Sequence, residues 1–193
     1  MTNFIHQQYI DDLSLCDKII DFHRMSPSKT QGRTFGGVNA EVKKSTDCEL
    51  TLFKDLADAY IAELQKVADV YKEKFDQCDA GGCPWGVSDG INVQHYAPSE
   101  AYFGWHCERG TSVLPMGSRH LAFMTYLNDV DDDGETEFMY QEVKIKPRKG
   151  LTLIWPVDWT HTHRGVASKT QDKYIVTGWY NFIEERNDAS LGK

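Results

Sequence analysis

His106-Cys107-Glu108 is the tripeptide in this chain best suited to chemistry. Side chains alternate along an extended segment, so His106 and Glu108 point one way and Cys107 the other. An imidazole and a carboxylate two residues apart can chelate one divalent cation. A third ligand must come from elsewhere, and His161-Thr162-His163 offers two candidates some 55 residues further on. Two histidines and one carboxylate on one face of an ion, with the other face open, is the facial triad of non-haem Fe(II) sites. Alternation cannot choose between His161 and His163, which would share a strand face. Taken alone, each motif is also consistent with polar residues on a solvated strand. Zinc hydrolysis is poorly served, because the helical H-E-x-x-H pattern is absent. Cys78 and Cys83 lack the second pair that a structural zinc site needs.

The elements that must position these residues fall into two regions. Ser14 followed by Asp17 resembles a capping box, and predicts a helix over Leu13 to Met25. Residues 26–42, rich in Ser, Gly, Thr and Lys, read as a loop. From Leu52 to Phe75, apolar residues recur every three or four positions through Phe53, Leu56, Tyr60, Leu64, Val67 and Tyr71, the signature of an amphipathic helix. Short β-branched and aromatic runs then alternate with turn residues. They span Ile91–Tyr96, Tyr102–Glu108, His120–Leu127, Glu135–Tyr140, Glu142–Lys146, Leu151–Trp155, His161–Val166 and Lys173–Phe182. Asp131–Gly134 and Pro147–Gly150 are the clearest turns between them. Eight short strands at roughly even spacing imply a mainly β jelly roll with N-terminal helices packed on one sheet face. The expected organisation is one domain over 1–193, with a helical support region over about 1–85 and a catalytic core over about 91–182. Glu184–Lys193 reads as a frayed tail.

The 193 residues carry 21 basic and 29 acidic side chains, a net charge of −8 that argues against gripping nucleic acid by bulk charge. No apolar run approaches the ~20 residues needed to span a membrane, and the first residues lack the basic and apolar regions of a secretory leader. Five irregularly spaced cysteines, Cys16, Cys48, Cys78, Cys83 and Cys107, argue against a disulfide framework. Reduced thiols and a cytoplasmic location are the expectation.

Several ordered motifs sit around the metal-binding candidates. Asn92-Val93-Gln94-His95-Tyr96 precedes Trp105-His106-Cys107-Glu108. Thr125-Tyr126-Leu127-Asn128-Asp129-Val130 and Asp133-Gly134-Glu135-Thr136-Glu137-Phe138 follow. Gly150-Leu151-Thr152-Leu153-Ile154-Trp155-Pro156 leads to His163-Arg164-Gly165, and then to Lys173-Tyr174-Ile175-Val176-Thr177-Gly178-Trp179. In this order the segment from Ile91 to Phe182 resembles the 2-oxoglutarate- and Fe(II)-dependent dioxygenases, in their prolyl 4-hydroxylase-like branch. The resemblance implies a double-stranded β-helix, which agrees with the strand count. It implies His106, Glu108 and His163 as ligands of Fe(II), because that branch places a basic residue about ten positions after the distal histidine, and Lys173 lies ten after His163. His161 would then be a pocket-mouth neighbour or a structural hydrogen-bonder.

The resemblance further implies that Lys173 binds the far carboxylate of 2-oxoglutarate, helped by Tyr126. Tyr96 would lie near the other end of the co-substrate, and Trp179 close to the distal ligand. The implied activity uses O2 and 2-oxoglutarate, with ascorbate as reductant, to hydroxylate an unactivated C–H and release succinate and CO2. A peptidyl proline leads as substrate, with a free amino acid or another small molecule as the alternative. Thr30–Gly37, Val42–Asp47 and Arg109–Arg119 are candidate substrate covers, and Arg164 could meet a substrate carbonyl. A cupin-like metal-binding protein without oxygenase activity would share the jelly roll but would not need Lys173 in register. One departure stands out: most members carry aspartate where this chain has Glu108, one methylene longer.

Overall fold

The computed structural model describes residues 2–183, so the tail expected over 184–193 lies outside the described residues. In chain order the elements are β1 (His6–Tyr9), α1 (Ser14–Met25), β2 (Thr30–Gln31), β3 (Thr46–Glu49), α2 (Lys54–Lys74), β4 (Trp85–Val87), β5 (Asn92–Tyr96) and β6 (Arg119–Tyr126). There follow β7 (Thr136–Phe138), β8 (Val143–Ile145), β9 (Leu151–Pro156), β10 (His163–Gly165) and β11 (Lys173–Phe182). The larger sheet runs β1-β9-β6-β11-β5-β3-β2, with β4 also paired to β11, and the smaller runs β10-β7-β8. The neighbours are antiparallel throughout, as a jelly roll requires.

Alternation along the central strands separates two apolar layers. Leu121 and Phe123 on β6, Val176 and Tyr180 on β11 and Val93 on β5 face the helices. There they meet Ile19 of α1 and Tyr60, Leu64, Val67 and Tyr71 of α2, the stripe that the helical periodicity picks out. The residues between them turn inward. Ala122, Met124, Tyr126, Leu153, Trp155 and Ile175 face Phe138 and Ile145 of the smaller sheet. Both helices therefore brace the back of the larger sheet, and its front is left to build a site.

A buried hydroxyl chain ties α2 to the sheet. Tyr60 Oη lies 2.8 Å from Thr125 Oγ1, which lies 2.7 Å from Thr152 Oγ1. Tyr60→Phe leaves the two threonines bonded to each other, so we expect a loss of about 0.5–1.5 kcal/mol of unfolding free energy, measured by urea denaturation. A loss above about 3 kcal/mol would show that the phenol supports more than this one bond.

The structure corrects several expectations. The first 85 residues are not purely helical, since β1, β2 and β3 extend the larger sheet and β4 begins at Trp85. β1 is His-Gln-Gln-Tyr on a sheet edge, where backbone pairing to β9 needs no apolar alternation. The start of α1 is not a Ser14–Asp17 capping box. Asp12 Oδ1 instead accepts from the Ser14 backbone N–H at 2.9 Å and from its hydroxyl at 2.6 Å. Tyr102–Glu108 is not a strand: it forms isolated bridges at Tyr102 and His106, and single backbone hydrogen bonds tie Phe103 and Gly104 to Val42 and Glu108 to Val157. Of His161–Val166 only β10 is extended, and Trp159–His161 forms a short 3-10 turn.

Candidate metal centre

His106 and His163 are brought face to face by the backbone. The N–H of His106 donates to the carbonyl of His163 at 3.0 Å, and the N–H of His163 returns the bond at 2.9 Å. Glu108 is fixed two residues on, where its N–H donates to Val157 O at 3.0 Å. The segment thus keeps the alternation of a strand without the ladder of one. One carboxylate oxygen, Glu108 Oε1, lies 3.5 Å from His106 Nε2 and 3.3 Å from His163 Nε2. Ligand atoms of the three residues all lie within 4.8 Å of one another.

Their other ring nitrogens are committed. His106 Nδ1–H donates to Gly104 O, and His163 Nδ1–H donates to His161 O, each at 3.0 Å. A carbonyl can only accept, so both Nε2 atoms keep a lone pair turned toward Glu108. The rings are held by packing as well. Tyr102 stacks on His106 with centroids 3.7 Å apart and planes 9° from parallel, while Trp155 stands edge-on to His163 at 5.1 Å. Burial, and then the neighbouring His106, push His163 below its ordinary pKa. Burial alone would raise the Glu108 carboxyl, but a proton carried by the facing imidazoles holds it well below the usual carboxylate range. Two neutral donors and one anion are the donor set that a divalent iron prefers, so these residues fit the metal.

His161 is not at the pocket mouth. Its Nε2–H donates to Asn3 O at 3.0 Å, and its own carbonyl accepts from His163. It is the structural hydrogen-bonder of the two alternatives.

The triad opens into a cavity of about 590 Å³ between the sheets. β11 supplies one wall through Lys173, Ile175, Thr177 and Trp179, every second residue. Lys173 is buried, at 4 % exposure. Its Nζ donates to Gly134 O at 3.0 Å and to Val166 O at 3.4 Å. Asp133 and Gly134 both have positive φ, and this tight turn aims the Gly134 carbonyl at the ammonium. No carboxylate pairs with Lys173 among the described residues, and burial pushes its pKa down to about 8. A buried cation facing a cavity without a counter-ion is a seat for an anion. The indole N–H of Trp155, also in the lining, has no partner among the described residues.

The aromatic residues sit differently from what the resemblance implies. Tyr126 does not line the cavity. Its hydroxyl lies between Thr136 Oγ1 at 2.7 Å and Ile145 O at 3.0 Å, so it supports Thr136, which does. Tyr96 lies at the Lys173 end, with Nζ 5.0 Å from its ring centre and its hydroxyl donating to Gln94 at 2.6 Å. The indole N–H of Trp179 reaches Glu108 Oε2 at 2.9 Å, which makes Trp179 a partner of the carboxylate ligand. Arg164 is committed to Glu137 Oε2 at 2.9 Å and stacks on Trp105.

All three candidate covers reach the cavity, through Phe35 of the first, Lys43 of the second and Met116 of the third. Sequence reasoning missed Tyr102 and Arg119. An aromatic four residues before His106 was the available sign of the first, and nothing in the local spacing marks the second.

A jelly roll with a two-histidine, one-glutamate centre and a buried lysine in the same cavity defines a class of mononuclear metal proteins that take an anionic co-ligand. Comparison with known proteins narrows that class. Residues 91–181 match the family model of the 2OG-Fe(II) oxygenase superfamily. Probable prolyl 4-hydroxylase 9 of Arabidopsis thaliana is 25 % identical over 120 residues, which is 50 % of this chain and 42 % of that protein. The match therefore spans less than half the length of that curated relative. A prolyl hydroxylase from Trichoplax adhaerens, solved with a hypoxia inducible factor peptide fragment, superposes with a TM-score of 0.74 at 17 % identity, covering 100 % of this chain and 89 % of that one. A viral collagen prolyl hydroxylase from Paramecium Bursaria Chlorella virus-1, solved with 2OG, gives 0.69 at 17 % identity, covering 94 % and 97 %. Residues 91–181, just under half of this chain, are thus similar to the 2OG-Fe(II) oxygenase superfamily.

Proposed function

We propose that this protein is a 2-oxoglutarate-dependent dioxygenase that hydroxylates an unactivated C–H, with a peptidyl proline as the leading substrate. The observation that carries the reading is Lys173, a buried ammonium with only carbonyl partners, in one cavity with His106, Glu108 and His163. Neither a cupin-like metal protein nor a hydrolase needs that cation. Fe(II) held by the triad would supply the redox chemistry that couples 2-oxoglutarate decarboxylation to substrate oxidation.

The chain's own residues account for the rest of the site. The ammonium of Lys173 takes the far carboxylate of the co-substrate and so sets its direction in the cavity. The carbonyls of Gly104 and His161 orient the two imidazoles. The three covers each contribute to the cavity wall, through Phe35, Lys43 and Met116. Phe35, in the cavity lining, is 80 % exposed, and Val113 and Leu114 in another of the candidate covers are also large exposed apolar side chains. Such residues suit an extended peptide better than a small polar molecule.

Ascorbate as reductant and a cytoplasmic location belong to the same proposal. The five free cysteines agree with a reducing compartment. Among the described residues no helix is long and apolar enough to cross a membrane. The decisive assay supplies Fe(II), ascorbate and 2-oxoglutarate with a panel of proline-containing peptides and free amino acids. Succinate release together with a +16 mass shift on a peptide is expected. A shift on a free amino acid alone would move the substrate to the small-molecule class, and no succinate under any condition would sink the oxygenase reading.

Glu108 gives a sharper prediction. The site is built around the longer side chain, so Glu108→Asp leaves its carboxylate about one C–C bond short. A positioning error on the order of 1 Å can cost about a hundredfold in rate. Succinate formation should fall accordingly in Glu108→Asp and further in Glu108→Gln, which removes the charge. Full activity in Glu108→Ala would show that this carboxylate is not a ligand.

A further inference from the structure

The two oxygens of Glu108 meet different surroundings. Oε1 faces the two imidazole Nε2 atoms at 3.5 and 3.3 Å. Oε2 turns away, accepts the Trp179 indole N–H at 2.9 Å, and lies 3.7 Å from Arg119 Nη1. Arg119 is itself held against both partners. Its Nη1 donates to the Glu108 main-chain carbonyl at 2.8 Å, and its guanidinium carbon stands 3.5 Å above the centre of the Trp179 ring. Arg109 extends the brace. Its Nη1 donates to Arg119 O at 3.0 Å, while Nε and Nη2 fork onto Asp158 at 3.0 and 2.9 Å.

A glutamate has one more rotatable bond than an aspartate. Left free beside a cation, it can turn both oxygens inward or swing out of the site, and either changes the number of open positions. The indole N–H on Oε2 makes a charge-assisted hydrogen bond, which is strong and directional, and the guanidinium charge 3.7 Å away adds attraction on the same side, so that freedom is restricted. We propose that Trp179 and Arg119 form a clamp that holds Glu108 Oε2 away from the metal and presents Oε1 alone. The clamp is what lets a glutamate serve where aspartate is usual. Both are positioning residues, since they act through Glu108. The inference rests on the reading of His106, Glu108 and His163 as a metal centre.

The test reads metal binding with no co-substrate or substrate present. Co(II) is the probe, because its visible bands report coordination number. Trp179→Phe keeps an aromatic face for Arg119 and deletes only the N–H. In the Glu108 background it should weaken Co(II) binding about tenfold, within the range for partners of metal ligands, and shift the visible bands. In a Glu108→Asp background the shorter carboxylate cannot reach both the metal and the indole, so the same substitution should change affinity less than twofold. Equal losses in both backgrounds, or unchanged bands in Trp179→Phe, would reduce Trp179 to packing and overturn the clamp while leaving the metal centre intact. No Co(II) binding by the unmodified protein would overturn the metal centre and the clamp together. If Trp179→Phe does not fold, Arg119→Lys carries the same comparison, since it keeps the charge and loses the stacked plane.

Discussion

Fe(II) binding and succinate formation are lost in His106→Ala and in His163→Ala, while His161→Ala keeps the metal. The expectation follows from the division of labour between three histidines close together. The Nε2 atoms of His106 and His163 flank one oxygen of Glu108, so removing either leaves two ligands where three converge. That loss should exceed the ~10–100-fold caused by deleting an outer partner of a ligand. His161 contributes its backbone carbonyl to His163, which alanine preserves, and its ring to Asn3, outside the site. His161→Ala should therefore cost at most a few-fold in metal affinity. Titration of the three variants with Fe(II) under anaerobic conditions measures this. Loss of metal in His161→Ala with retention in His163→Ala would reverse the assignment.

How much of this arrangement could be read from the chain depends on where periodicity is enforced by burial. α2 and β11 are each packed against something apolar, so Tyr60, Leu64 and Val67 repeat at the helical period and Lys173 to Trp179 alternate. Those elements are legible. β1 and β3 pair by backbone at the outer part of the sheet and need no such pattern, so His6–Tyr9 and Thr46–Glu49 gave no signal. The ligand segment is an instructive intermediate. His106 and Glu108 project to one side as alternation demands, yet the element is a single bridge to His163 rather than a strand.

The choice of His163 over His161 lay beyond local pattern altogether. It depends on a 3-10 turn that rotates His161 toward Asn3, and spacing within His-Thr-His carries no trace of that turn. Tyr126 shows the converse limit. Its position on β6 faces the interior as expected, but Thr136 and the Ile145 carbonyl capture its hydroxyl before it can reach the cavity. A resemblance can place a residue on the right face, and only the surrounding donors and acceptors decide where its polar atom goes.

Lys173→Met should separate co-substrate binding from metal binding and from stability. Methionine keeps much of the length and apolar stem of lysine and deletes the ammonium. A charge-assisted hydrogen bond in a dry pocket is typically worth ~1.5–3 kcal/mol, so 2-oxoglutarate affinity should fall by roughly one to two decades. The triad is untouched, and Fe(II) affinity should not move. Burial lowers the Lys173 pKa from its ordinary value of 10.5 to about 8, so the fold disfavours the charged form that the co-substrate needs. Between these two values the unfolded chain binds more protons than the folded one, and folding stability gains with rising pH across that window. Lys173→Met loses this dependence and should melt higher than the unmodified protein at pH 7, measured calorimetrically without co-substrate. The affinity of the unmodified protein for 2-oxoglutarate should fall as pH rises past about 8, where free Lys173 gives up its proton, and the Lys173→Met affinity should be flat over the same range. An unchanged 2-oxoglutarate affinity in Lys173→Met would remove Lys173 from the co-substrate site, and a lower melting temperature would show that its bonds to Gly134 and Val166 outweigh the cost of burying the charge.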